Sequence, residues 1–254
     1  MKWRSFQFSF SLISRSYPED TKTESELELA LPSFLENQDV NGILILSHLS
    51  TDFTNAVIGT GIPTVLIDHH HPAIHADCIL TNNRFSACET VRHLCDLGHR
   101  SIGYIGNIDF SPSYYERLEG FRLALRDMGV EAHPQWVVTD AVEQADYVME
   151  TLKGMSAQPT AWFCVNDGLG FLVNSTLHQL GFQVPDDVSV CSFDNGQSRL
   201  ATPMTTTMAV DLNLFGRKAV EQLFWRMEHK DEPFTELLLP TKIIVRESTA
   251  PPRN

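Results

Sequence analysis

The chain has 254 residues, 43% hydrophobic and 20% charged, a balance that allows a large buried core in one long domain or two smaller lobes. Its formal net charge of -13 argues against a duplex-binding surface, because displacing counterions from phosphates needs clustered Lys and Arg. Five cysteines, odd in number and without a CxxC pair, indicate neither a disulfide framework nor a zinc ribbon, and fit buried thiols of a cytoplasmic protein.

In chain order, Met1 to Arg4 followed by Phe6 to Ile13 imitates a signal peptide, but Gln7, Ser9 and Ser11 interrupt the apolar stretch and Arg15 follows closely. No later run is long and apolar enough to span a membrane as a helix. The acidic stretch Glu19 to Glu28 reads as the solvated start of a helix. Short β-type runs then recur at Gly42 to Leu46, Thr64 to Ile67, Ile102 to Ile105, Trp136 to Val138, Ala161 to Val165 and Val188 to Phe193. The helical signal between the first two is weak. Ala87, Val91, Leu94 and Cys95 define a clear apolar stripe ending at Gly98. A helix from about Tyr114 to Met128 puts Leu118, Phe121, Leu125 and Met128 on one face and stops at Gly129. Gln179 to Gly181, with Pro185 to Asp187, closes another helix, and Leu214, Ala219, Val220, Leu223 and Phe224 outline the last. Such alternation predicts a mostly parallel sheet covered by helices. Extended segments near Cys78 to Thr81, Thr205 to Val210 and Leu237 to Pro240 lack strong helical neighbours on both sides and are able to carry the chain between two lobes.

In a parallel sheet, ligands bind beyond the carboxyl ends of the strands. Two strands run straight into polar residues, at Val165-Asn166-Asp167 and at Phe193-Asp194. Asn166 and Asp194 are therefore candidate pocket residues. Asp167 fits either a ligand contact or an N-cap of the following helix, and Asp194 with Asn195 also fits a plain turn. No nucleophile with base and orienter is visible, and neither GxSxG, GxxxxGK[ST] nor HExxH occurs, so catalysis is not supported.

Six ordered segments carry a family resemblance: Thr81-Asn82-Asn83-Arg84, Leu97-Gly98-His99-Arg100-Ser101-Ile102, Tyr115-Glu116-Arg117-Leu118-Glu119-Gly120-Phe121, Val165-Asn166-Asp167, Val184-Pro185-Asp186-Asp187-Val188-Ser189-Val190 and Val245-Arg246-Glu247-Ser248-Thr249. Together they resemble the effector-binding domain of LacI/GalR-type transcription regulators from roughly Leu27 to Pro251. The resemblance implies an α/β fold of two Rossmann-like lobes of periplasmic-binding-protein type I, joined by three crossover strands. The lobes are expected at 1–81 with 209–237 and at 82–208 with 238–250, with 251–254 as a tail. It also implies a small-molecule effector such as a sugar held between the lobes, a homodimer, no cofactor, and control of operator DNA through an N-terminal headpiece. That headpiece and the first strand are absent from this chain, with Met1 to Ser14 matching the family's second strand. An N-terminally truncated chain is expected to be marginally stable alone.

Carried onto this sequence, the family's arginine is Arg117, whose planar fork of five donors suits neighbouring ligand oxygens. Its aspartate is Asp194, an acceptor for ligand hydroxyls, and Asp68 matches a cleft-facing position in the first lobe. A surface ion pair of Arg117 with Glu116 or Glu119 is the plain alternative. Phe110 and Tyr114 flank the pocket loop and suit stacking on a sugar ring, whereas Trp136 is expected in the core.

Two rivals remain. A solute-binding protein of a transporter would share the fold and pocket but needs an export signal. Asp68-His69-His70-His71 after an apolar strand looks like the metal site of DHH phosphoesterases. The upstream Asp-x-Asp pair and the downstream glycine-rich segment of those enzymes are missing, which leaves the histidines as a solvated loop and no metal in the site.

Overall fold

A computed structural model describes residue 31, residues 40–46 and residues 49–253. The readings of Met1 to Ser14 and of the acidic stretch Glu19 to Glu28 lie outside the described residues.

The described chain forms two sheets. The first contains β1 (Ile43–Leu46), β2 (Thr64–Ile67), β3 (Asp77–Thr81) and β9 (Glu236–Leu239), all parallel, in the order β1-β2-β3-β9. The second has the order β10-β8-β7-β6-β4-β5, from β4 (Ile102–Ile105), β5 (Val137–Val138), β6 (Ala161–Cys164), β7 (Ser189–Asp194), β8 (Thr206–Val210) and β10 (Thr241–Ile244). Only β10 runs antiparallel to its neighbour within it. The chain therefore changes sheet three times: after β3, after β8 and between β9 and β10. This is the two-lobed α/β architecture with three crossings that the family resemblance implied, built from the strand and helix alternation of the sequence.

The helices form where the sequence supplies both an apolar stripe and a cap. Helix α1 (Thr51–Gly59), weak by periodicity, starts where the Ser50 side chain accepts from Phe53 N–H, and it buries Phe53, Thr54 and Val57. Helix α2 (Asn83–Asp96) buries Ala87, Val91 and Leu94 completely. Helix α3 (Pro112–Asp127) opens with Ser111 as cap and Pro112 in its first turn, two residues earlier than the apolar pattern predicts, because Pro is tolerated where the N–H has no helical partner. Helices α4 (Ala145–Lys153), α5 (Asp167–Gln179) and α6 (Leu212–Glu228) complete the set. Helix α4 has no counterpart among the periodic runs found in the sequence.

Strand period two sorts the first lobe's core into two layers. Ile45, Leu66, Cys78 and Leu80 pack with Phe53 and Val57 of α1, while Val65, Ile79 and Leu239 pack with Phe215 and Ala219 of α6. Helix α6 thus follows a second-sheet strand in sequence yet covers the first sheet. The buried pair Arg226–Asp77, 2.6 Å apart, ties its end to β3, and Arg226 also donates to the carbonyls of His229, Glu232 and Pro233. The second lobe has the larger core, built around the fully buried Trp162, Tyr104, Phe121, Phe163 and Phe193. Trp136 packs against the edge of this core, but just before its strand and not within it. It lies in a 3-10 turn (Pro134–Trp136), partly buried, with Nε1 donating to Ala157 O and its ring on His133, because the strand starts only at Val137.

The segment after β10 is bonded onto the second lobe. Ser248 Oγ accepts from Thr206 N–H and donates to Val190 O, and His99 contacts Thr160, Ser189 and the Ala250 carbonyl.

Candidate functional site

The polar residues at strand ends converge on one region. Asp68 follows β2, Asn166 follows β6 and Asp194 ends β7, while Arg117 projects from the second turn of α3. Backbone strain collects at the same places: among the described residues, the non-glycine residues with positive φ are Asp68 (54°), Asp194 (97°) and Asn195 (62°). Asp and Asn tolerate the left-handed region better than most, but the cost persists only where surrounding structure over-determines it.

Arg117 is only 2% exposed. Its Nε donates to Asn83 Oδ1 (2.9 Å), Nη1 donates to Val165 O (2.7 Å), and Nη1 lies 3.2 Å from Asp194 Oδ1. The guanidinium carbon sits 3.7 Å from the centroid of the Phe193 ring. Arg117 is therefore no surface partner of Glu116 or Glu119; Glu119 pairs with Arg84 instead. These protein bonds occupy much of its fork, so what it presents to a ligand is chiefly the carboxylate it holds. Asp194 keeps 42% of its side chain exposed beside a 3% exposed Arg117. The Asp194 carboxyl lies above its usual range, since loss of solvation outweighs the pull of Arg117.

Asp68 faces the same guanidinium from the first lobe. Burial lifts its carboxyl, the Arg117 charge and the Thr81 hydroxyl draw it back, and its Oδ1 is buried without a hydrogen-bond partner. A buried acceptor left open is costly unless something donates to it, which suits an incoming hydroxyl.

Asn166 holds two roles at once. Its Oδ1 accepts from Leu169 N–H (2.8 Å) as the N-cap of α5, and its Nδ2 donates to Tyr114 Oη and to Glu143 Oε2, each at 2.9 Å. Asp167 is corrected on both sequence readings. The cap is Asn166, and Asp167, 4% exposed, accepts from Ser192 Oγ, Thr207 Oγ1 and the N–H groups of Gln197 and Ser198. With four donors on its two oxygens it fixes the loop after β7 and has no capacity directed at a ligand. Arg246 grips the same loop from the segment after β10, through Ser198 Oγ, Thr205 O and Asn195 Oδ1.

Phe110 and Tyr114 stand together, ring centroids 5.5 Å apart, and line a cavity of about 240 Å³ with Asn107, Ala141, Val142, Glu143 and Leu169. Trp136 is not among its walls. The histidine loop is only partly solvated. His71 and His75 are exposed, but His69 is buried, and His70 Nε2 reaches Glu116 Oε1 across the lobes at 3.4 Å. Among the described residues no group of three or more His, Cys, Asp or Glu side chains is placed to hold a metal ion.

Sequence reasoning missed Asn83, Glu116, His70 and Glu143 as members of this network. Asn83 and Glu116 lie inside motifs quoted above, directly beside named candidates. Glu143 lies in a loop with no periodic signal at all.

A two-lobed α/β domain with polar residues converging at the strand ends belongs to the class of proteins that close around a small ligand. The chain belongs to the periplasmic binding protein-like domain family, which matches residues 91–249. It is 28% identical to the ribose operon repressor of Haemophilus influenzae over 84% of this chain and 65% of that protein. It is 29% identical to the HTH-type transcriptional repressor PurR of Mannheimia succiniciproducens over 89% of this chain and 68% of that one. Among solved structures, a LacI family transcriptional regulator from Enterococcus faecium with bound ribose superimposes with a TM-score of 0.74 at 26% identity, covering 86% of this chain and 83% of that one. The chain is thus similar to about two thirds of the length of these repressors, and it resembles their effector-binding part.

Proposed function

We propose that this chain is the effector-sensing and dimerising part of a LacI/GalR-type transcription regulator, not an enzyme, which closes two lobes on a small hydroxylated metabolite. The observation that carries the reading is the Arg117–Asp194 pair with Asp68 facing it from the other lobe. Asp194 and Asp68 are acceptors for ligand hydroxyls, Asn166 offers an amide, Phe110 and Tyr114 offer apolar faces, and Arg117 orients Asp194. Asp167 acts indirectly, by fixing the loop that carries Asn195. Operator DNA is contacted through a headpiece and as a homodimer, as the family resemblance implies. The effector shifts a population of lobe arrangements, which requires it to prefer one of them. Similarity to repressors favours this reading over a transport protein.

A thermal-shift screen of sugars and related metabolites tests it. Arg117→Ala and Asp194→Ala should each weaken binding of a stabilising compound by about 2 to 5 kcal/mol, the range for stranding a buried charged partner. Both variants responding like the parent would remove the pair from the site.

A further inference from the structure

The charges around the cleft do not balance. Arg117 is engaged by Asn83, the Val165 carbonyl and Asp194, and His70 is engaged by Glu116. Glu143, in the loop between β5 and α4, has no salt bridge among the described residues. Its Oε2 accepts one neutral hydrogen bond, from Asn166 Nδ2, and its side chain lines the 240 Å³ cavity beside Phe110 and Tyr114. Gly168 makes this placement possible: a Cβ there would stand 1.7 Å from Glu143 Oε1, so any side chain would expel the carboxylate.

A carboxylate next to two aromatic faces is the chemistry that receives an ammonium group. The opposite charge attracts directly, and ring quadrupoles attract a cation within about 6 Å of a centroid. Glu143 in this lining repels phosphates and carboxylates, and the carboxylates of Asp194 and Asp68 at the neighbouring strand ends add to the repulsion, with the guanidinium of Arg117 already paired.

We infer that the pocket takes an amine-bearing hydroxylated ligand, with the ammonium set against Glu143 and the Phe110 and Tyr114 rings and the hydroxyls on Asp194 and Asn166. This rests on the effector reading above and names its ligand class. A neutral ligand satisfies the hydroxyl acceptors and leaves the Glu143 charge uncompensated.

The test is a matched panel titrated onto the whole chain by calorimetry and thermal shift near neutral pH: D-glucose, D-galactose and D-ribose, their amino sugars, their phosphates and the uronic acids. Amino sugars should bind about tenfold tighter or more than their neutral parents, the scale of a cation between a carboxylate and aromatic faces. Glu143→Gln, which keeps an oxygen for Asn166, should abolish that ratio. Equal affinity for parent and amino sugar, an unchanged ratio in Glu143→Gln, or a preference for phosphates overturns the inference. Two failures are separable. A neutral or anionic compound whose binding is lost in Asp194→Ala rejects the amine and keeps the sensing site, whereas no response from any class rejects the sensing site itself.

Discussion

Asp167 illustrates how one carboxylate can be essential to a site without touching a ligand. Its two oxygens collect Ser192, Thr207 and two backbone N–H groups at 2.6 to 3.0 Å in a setting only 4% exposed. Removing it strands four donors, and each unsatisfied buried group costs about 1 to 3 kcal/mol. Asp167→Ala should therefore destabilise the second lobe by about 3 kcal/mol or more in urea unfolding, a larger loss than Asp194→Ala, whose carboxylate stays partly in water. A smaller loss for Asp167 than for Asp194 would reverse the roles assigned here. The sequence alone left Asp167 open between a cap and a ligand contact because all four donors come from segments 25 to 40 residues away.

At the scale of elements, the contact between α2 and α3 decides where Arg117 and Asn83 stand. The two helices pack closely because α3 carries Gly120 where they meet: a Cβ there would come within 2.2 Å of the Arg84 carbonyl oxygen and 2.8 Å of Ala87 Cβ. Gly120→Ala should separate the helices, cost about 1 to 3 kcal/mol as an overpacking change, and weaken ligand binding by moving Arg117 from Asn83. Calorimetric unfolding with a binding titration checks both, and a variant as stable as the parent would mean that the contact yields freely. The apolar stripes of α2 and α3 were readable because Val91, Leu94, Leu118, Phe121 and Leu125 recur at helical spacing and are buried as that spacing requires. Helix α1 was weakly readable, since its start rests on the Ser50 cap more than on periodicity.

Across the whole molecule, the His70–Glu116 pair joins the loop after β2 in one lobe to α3 in the other. The hydrogen bond with Glu116 raises the His70 pKa above 6.5 against the opposing effect of burial, and Glu236 and Asp68 add to the rise. Burial alone would lift Glu116, but hydrogen bonds from His70 and Asn83 outweigh it, with Arg84 assisting, so its carboxyl lies below 4.5. A raised histidine contributes stability that is full below its unfolded pKa of 6.5 and fades as pH climbs through the folded value. A depressed carboxylate contributes above 4.5 and fades as pH falls through its folded value. The link between lobes is thus strongest between roughly pH 4.5 and 6.5 and loosens above. The melting temperature of the parent should exceed that of His70→Gln most in that window and converge with it at alkaline pH. A difference independent of pH would show that the pair does not hold the lobes.

The sequence by itself determined the alternation of strands and helices, and with it the α/β class, because periodicity is a local property that burial then obeys; the division into two lobes came from the family resemblance. It also pointed to Asn166 and Asp194, since the end of an apolar parallel strand is where a pocket lies in any such sheet. Only the tertiary structure decided that Arg117 is buried against Phe193, that Asp167 serves the scaffold, that α6 covers the first sheet and that Glu143 enters the cavity. Those outcomes depend on which distant donors, rings and glycines arrive beside each side chain, and contacts made across tens to well over a hundred residues leave no period in the chain to read.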